Sequence, residues 1–268
     1  MKILNPQFDL FEFINKVRIA SKCVLMINYD GTLAPFCVDR NNALPYPGMR
    51  ELLTSLTADN GTRLIVVSGR SIKDIIPLLG LPQLPEIWGS QGLERLMPDK
   101  SYQAVNISPL ASQGLSEARD WAIQMGLANN CEEKVGCLAI HLRGLEPKAR
   151  QWTHEKIMEK WLRIAQWTSL KIQEFDGGIE LRISDRNKGY VVNTVLAELE
   201  VGQPVAYLGD DLSDEEAFKE VKRRGLSILV NKELRTTNAD LWLQPPTEVF
   251  RFLCNWVKFE AYTMAHTS

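Results

Sequence analysis

The sequence predicts an α/β fold, a Rossmann-like, doubly wound parallel sheet interrupted by a separate α+β block. Three observations lead there. Short apolar runs at residues 24–27, 64–67 and 205–208 read as strands buried in a sheet. Stretches with helical periodicity separate them, as in parallel sheets built with right-handed crossovers. The pattern breaks after about residue 102 and resumes at about 185.

Each element has its own signal. Phe8, Phe11, Ile14 and Val17 recur at helical spacing and predict an opening amphipathic helix. After the first strand, Pro45 to Gly48 mark a turn, and residues 49–56 read as a helix. A strand at 63–67 leads to Ser71, with Asp74 three residues on. That spacing resembles a capping box with Asp in place of Glu. The helix it opens runs to Leu79 and is ended by Leu81-Pro82-Gln83-Leu84-Pro85, before a short strand at 87–90. The inserted block reads as a helix at 112–125, a strand at 136–142 and a long helix from Pro147 to Trp167. Strands at 170–174 and 179–183 follow, flanking Gly177-Gly178. The first pattern then returns: a helix from Lys188 to about residue 200, a strand at 205–208 and a helix at 213–223. A strand at 226–230 and a final helix at 247–262 close the chain. The expected division is a core of residues 1–102 and 185–268 around an insert of residues 103–184.

Composition bounds the function. A chain of 268 residues can bury a large core or two smaller ones. A net charge of -2 gives no reason to expect nucleic acid as a partner. No apolar run approaches the ~20 residues needed to cross a bilayer, and no membrane partner is expected. Lys2, Asp9 and Glu12 lie within a helical pattern, unlike a secretory leader. Five cysteines without Cys-x-x-Cys spacing suit small buried groups or reduced thiols in the cytoplasm.

Chemistry-bearing residues gather at the predicted strand ends. The first strand runs into Asn28-Tyr29-Asp30-Gly31-Thr32, presenting two polar side chains two residues apart before a glycine turn. The second ends in Ser68-Gly69-Arg70, and Asn187-Lys188-Gly189 opens a helix. A further strand ends in Gly209-Asp210-Asp211, followed by Leu212-Ser213-Asp214-Glu215. In an open α/β sheet, ligands bind outside the carboxyl ends of the strands.

These four motifs, in this order, resemble those of the haloacid-dehalogenase (HAD) superfamily, and the insert falls where its sugar-phosphate branch places a cap. Tyr29 to Pro35, Gly89-Ser90-Gln91-Gly92-Leu93-Glu94, Ala139-Ile140-His141-Leu142-Arg143 and Ile179-Glu180-Leu181-Arg182 resemble trehalose-6-phosphate phosphatases in particular. The resemblance implies a Mg2+-dependent phosphatase acting on a disaccharide phosphate through an aspartyl-phosphate. It implies that residue 28 is the nucleophile, that Asp30 is the proton donor, and that Ser68 and Lys188 clamp the phosphate. Mg2+ would meet residue 28, the Asp30 carbonyl and Asp210, with Asp211 and Asp214 orienting ligands. Gly69, Arg70, Gln91, Arg143 and Glu180 complete the expected substrate site.

Two positions depart from the family pattern. Gln91 replaces a common histidine and cannot carry its charge. Asn28 replaces the nucleophilic aspartate, and a carboxamide cannot attack phosphorus. The chain thus reads as a phosphatase with its nucleophile removed, either by a deliberate Asp-to-Asn exchange or as a natural inactive homologue. The alternatives are a glucosylglycerol-phosphate or sucrose-phosphate phosphatase and a sugar-phosphate-binding regulatory protein. As proton donor, Asp30 should have its pKa raised by burial and neighbouring acids. His141 reads as a satisfied interior histidine, and Trp152, Trp161 and Trp167 read as core packing. Glu180 faces either the sugar or solvent.

Overall fold

A computed structural model describes every residue except 38, 176, 184–185 and 257–268. Its larger sheet has nine strands in the order β1-β13-β12-β11-β2-β3-β4-β5-β6. The parallel centre comprises β2 (Cys23–Asn28), β3 (Thr62–Val67), β4 (Glu86–Gly89), β11 (Val205–Gly209), β12 (Leu226–Val230) and β13 (Leu241–Leu243). The edges are antiparallel: β1 (Lys2–Ile3) pairs with β13, and β5 (Glu94–Leu96) and β6 (Tyr102–Ala104) extend β4. The chain winds outward from β2 through β3 and β4, then returns to β11 on the other side of β2. The order therefore reverses between β2 and β11, whose carboxyl ends carry Asn28 and Gly209.

Both faces of this sheet are covered. Leu25 and Ile27 of β2 pack with α1 (Leu10–Ile19), α2 (Met49–Ala58), α3 (Ile72–Leu79) and α8 (Thr247–Trp256). Val24 and Met26, pointing the other way, meet α6 (Lys188–Ala197) and α7 (Glu215–Val221). Alternation of side chains across a strand, with both sides buried, is why β2 reads as one continuous apolar run.

The second sheet is antiparallel, in the order β7-β8-β10-β9. Its strands are β7 (Cys131–Lys134), β8 (Cys137–His141), β9 (Leu170–Phe175) and β10 (Gly178–Ile183). Leu138, Ile140, Ile179 and Leu181 pack against Ala118 and Ala122 of α4 (Pro109–Gln124) and Ile157, Trp161 and Ile164 of α5 (Pro147–Trp167). The other face carries Ala139, His141, Glu180 and Arg182 and is free to meet the larger sheet.

Several expectations are corrected. At the first helix, Val17 is buried and Phe8 and Ile14 pack against the core as expected, but Phe11 is 76% exposed and Phe13 is buried instead. Ser71 does not cap α3 through its side chain. Its hydroxyl donates instead to the Asp74 carboxylate, 2.5 Å away. Helix α4 starts three residues early because Ser108 accepts from the Ala111 N–H and Pro109 takes the first helical position. The 213–223 helix is split into a 3-10 turn at Leu212–Asp214 and α7. Trp161 is fully buried, but Trp152 and Trp167 are 53% and 40% exposed. The part of the last helix expected beyond Trp256 lies outside the described residues.

This packing generates a stability prediction. Trp161→Ala is expected to cost about 3–5 kcal/mol by denaturant unfolding, because a buried ring leaves a cavity that cannot fully collapse. Trp152→Ala should stay within about 1 kcal/mol. Equal losses would contradict the placement of the two rings.

Candidate active site

The carboxyl ends of β2, β3 and β11 and the start of α6 form the floor of a cleft of about 130 Å³. The polar face of the second sheet forms its opposite wall. Asn28, Asp30, Gly69, Arg70, Gln91, Arg143, Glu180, Lys188 and Asp210 all line this cleft. Ser68 does not line it, because it is fully buried behind the β3 end and its hydroxyl accepts the Arg70 N–H at 3.0 Å.

Asp214 organises the floor. Its buried carboxylate accepts from Lys188 Nζ at 2.8 Å, Tyr207 Oη at 2.6 Å, and the N–H groups of Asp210 and Asp211 at 3.0 Å each. Burial opposes charge on Lys188, but Asp214, then Asp210, outweigh it and hold the ammonium pKa above its ordinary value. Burial and Asp214 push the Tyr207 phenol well above its usual range. Burial and the facing Asp214 also raise Asp210 strongly, against the opposing pull of Lys188.

Behind the floor, Arg235 Nη2 donates to the carbonyls of Asp210 at 3.3 Å and Asp211 at 2.9 Å, while Nη1 pairs with Glu215. Asp214 and Arg235 thus hold the donors and acceptors of the same two residues. No motif in the sequence points to Arg235. It comes from the loop after β12 and is brought there only by folding.

Position 28 is equally constrained. The Asn28 amide nitrogen donates to the Asp30 carbonyl at 2.8 Å and to the Asp210 carboxylate. Gly31, at φ +76°, makes the turn beneath them, and a Cβ there would fall 2.2 Å from Asp210 Oδ2. The two oxygens expected to meet Mg2+ beside residue 28 are therefore already engaged by its amide. Among the described residues, no three His, Cys, Asp or Glu side chains converge to hold an ion. As it stands, the donor set does not fit a cation.

Asp30 is not pressed by neighbouring acids as expected. Arg70 grips both of its oxygens, Nε to Oδ2 at 2.7 Å and Nη2 to Oδ1 at 2.6 Å. The remaining Arg70 nitrogen donates to the Arg40 carbonyl at 2.8 Å. Arg70, expected to bind substrate, is thus committed to a bidentate ion pair, among the stronger protein hydrogen-bond geometries.

The wall is a network of charges. Arg40 pairs with Glu132, and His141 Nε2 lies 2.8 Å from Arg40 Nη1 and 2.9 Å from Glu132 Oε2. Lys134 donates to the Gly69 carbonyl at 3.0 Å and to Glu180 at 3.2 Å, and Arg182 lies 3.4 Å from Glu180. Burial alone would raise Glu132, but His141, Lys134 and Arg40 drive it far below the carboxylate range. Glu180 is likewise lowered, against burial, by Lys134 and Arg182. His141 is satisfied, as expected, although it stands on the cleft wall. Glu180 faces the cleft and not solvent.

Glu132 and Lys134 are site residues that the sequence reading missed. They lie in a run of three charges, Glu132-Glu133-Lys134, on a four-residue strand, which shows no period that would single them out. Arg143 lies over the Phe36 ring at 5.1 Å. Ser90 and Gln91 both have positive φ, 50° and 59°, and Glu94 accepts from the Ser90 hydroxyl beneath this turn.

With this geometry established, comparison with known proteins is informative. A family model described as trehalose-phosphatase matches residues 26–244. "Probable trehalose-phosphate phosphatase 4" of Oryza sativa subsp. japonica is 30% identical over 264 residues, spanning 93% of this chain and 70% of the relative. The C. albicans trehalose-6-phosphate phosphatase C-terminal domain superposes with a TM-score of 0.79 at 18% identity, covering 96% of this chain and 99% of that one. The Candida albicans trehalose synthase regulatory protein C-terminal domain shares the fold at a TM-score of 0.68 and 12% identity, with 96% and 99% covered.

The Asp214–Lys188 pair generates a prediction. Asp214→Asn should cost about 3–5 kcal/mol, because it leaves a buried ammonium unpaired. Adding Lys188→Met should recover part of that loss, measurable as a coupling term in a double-mutant cycle. Strict additivity of the two changes would show that the pair does not act as a unit.

Proposed function

The chain belongs to the trehalose-phosphatase family, and from that premise we propose that its cleft binds trehalose 6-phosphate. We propose further that aspartate at position 28 would make it a phosphatase, and that the chain as given is the inactive form. The observation that carries this reading is the position of residue 28. It ends β2 at the sheet's switch point, beside Lys188 and Asp210 and opposite a wall of paired charges. That is where an open α/β sheet binds its ligand.

In the Asn28→Asp form, a carboxylate oxygen would form a bond to phosphorus as the bond to the sugar oxygen breaks. Water would then release phosphate from the aspartyl-phosphate. Once free of Arg70, Asp30 would take up a proton from solvent, give it to the departing sugar oxygen and later take one from the attacking water. Because Asp30 is held by Arg70, it becomes available only if that pair loosens. An incoming phosphate dianion, competing for the guanidinium, would supply the reason. Lys188, charged because Asp214 holds it so, would offset charge on the transferring group. The family resemblance implies Mg2+, which would supply further charge neutralisation once position 28 carries a carboxylate.

The sugar is assigned to the second sheet and its helices, roughly residues 103–184, through Glu132, Lys134, Arg143 and Glu180, with Gln91 from the core. Such a block can exclude water from the reacting phosphate. A sucrose-phosphate or glucosylglycerol-phosphate substrate would use the same floor with different wall contacts. A second reading is a sugar-phosphate-binding regulatory protein. The Asn28 amide, seated in a complete hydrogen-bond network, supports it, as does a shared fold with a protein named as regulatory. A cytoplasmic setting belongs to the proposal and rests on the free thiols of Cys23, Cys37, Cys131, Cys137 and Cys254.

Asn28→Asp should raise phosphate release from trehalose 6-phosphate by about 10^4-fold or more, measured with a sugar-phosphate panel in magnesium buffer. If that protein binds the panel and releases nothing, the phosphatase reading fails. Adding Glu180→Gln should weaken use of the disaccharide phosphate by about 1–3 kcal/mol while leaving an aryl phosphate nearly unaffected. Equal losses on both would remove Glu180 from sugar recognition.

A further inference from the structure

The contacts of Asn28 carry a conclusion about this chain's dependence on metal. We infer that the Asn28 carboxamide takes the place of the divalent cation, so that the site is complete without magnesium. The inference rests on the phosphatase reading of the same cleft, because that reading supplies the oxygens a cation would meet.

A primary amide nitrogen carries two hydrogens, and here it has two acceptors, the Asp30 carbonyl at 2.8 Å and the Asp210 carboxylate. Turning the amide over would set its oxygen against both of those oxygens, so the network fixes its orientation. None of the three groups can readily withdraw. Asn28 pairs in register with Val67 at the β2–β3 junction. Asp214 and Arg235 hold the Asp210 backbone from its N–H and carbonyl sides. The Asp210 carboxylate fills the space that a side chain at Gly31 would take.

A cation entering here would have to remove the amide from both acceptors and turn it over, and it would find a neutral oxygen where the aspartate form offers a charge. Magnesium keeps several of its waters and is held by only one or two carboxylates, so losing the charge at position 28 removes half of what would hold it here. In the Asn28→Asp form the position is reversed. Two buried carboxylates and a carbonyl then converge with no donor between them, an arrangement that a cation or a captured proton must relieve.

The test compares the chain as given with Asn28→Asp, using magnesium titration calorimetry and thermal melts in EDTA and in magnesium chloride. The chain as given should show no saturable magnesium heat and the same melting temperature in both buffers. Asn28→Asp should melt lower in EDTA, regain stability with magnesium, and bind the ion at least about 100-fold more tightly. If Asn28→Asp folds only in the presence of magnesium, the inference is supported in its strongest form. Saturable binding by the chain as given, within about 10-fold of Asn28→Asp, overturns it. So does an Asn28→Asp protein that folds and ignores magnesium, since the amide would then replace nothing. Phosphate release is a separate outcome. An Asn28→Asp protein that binds magnesium but hydrolyses no sugar phosphate sinks the proposed reaction and leaves this inference standing.

Discussion

The buried carboxylate of Asp214 is the interaction on which the rest of the site depends. It ties the first residue of α6, the phenol of β11 and the peptide N–H groups of Asp210 and Asp211 to one point. Isolated buried charges are costly, and each is tolerated only when paired and hydrogen-bonded. Asp214 spends its acceptor capacity on a cation, a hydroxyl and two backbone donors, which makes its burial affordable. The same contacts fix where Lys188 stands and how the Asp210–Asp211 turn faces the cleft. Arg235 closes the arrangement from the carbonyl side.

A second chain of contacts joins the floor to the wall. Asp30 is gripped by Arg70, Arg70 donates to the Arg40 carbonyl, and the Arg40 side chain reaches Glu132 and His141 on the second sheet. Lys134 makes a parallel connection by donating to the Gly69 carbonyl while pairing with Glu180. The wall groups are therefore not idle surface charges. The lowered pKa values of Glu132 and Glu180 and the raised one of Lys134 reflect partners that neutralise each other against burial. Any ligand entering between the sheets must exchange these internal bonds for its own, which disfavours an apolar one.

Position 28 shows how one atom's identity changes the physics of a whole site. With nitrogen in place of oxygen, a group that would repel Asp210 donates to it, and the turn becomes self-sufficient. Gly31 makes the tight turn, and β2 delivers the side chain at the switch point between β2 and β11.

The sequence by itself determined the parallel centre of the large sheet except for the three-residue β13, because strands buried on both faces must be continuously apolar. It also determined which residues end those strands, and hence nearly all of the cleft floor, since motif residues adjacent in sequence stay adjacent at a strand end. It could not determine partners. Arg70 carries the same motif signal whether it binds phosphate or Asp30, and only the folded distance shows that it binds Asp30. The exposure of Phe11, Trp152 and Trp167 escaped for a similar reason, because periodicity states that a helix has an apolar side but not how far its neighbours cover it. Short edge strands such as β5, β6 and β7 have too few residues to show a period, so Glu132 and Lys134 surfaced only once β7 was paired with β8. Arg235 lies 25 residues from Asp210 in the chain yet hydrogen-bonds to its carbonyl. Contacts of that kind are decided by tertiary structure, because the energy that selects them comes from burying and pairing charge and not from any local preference of the chain.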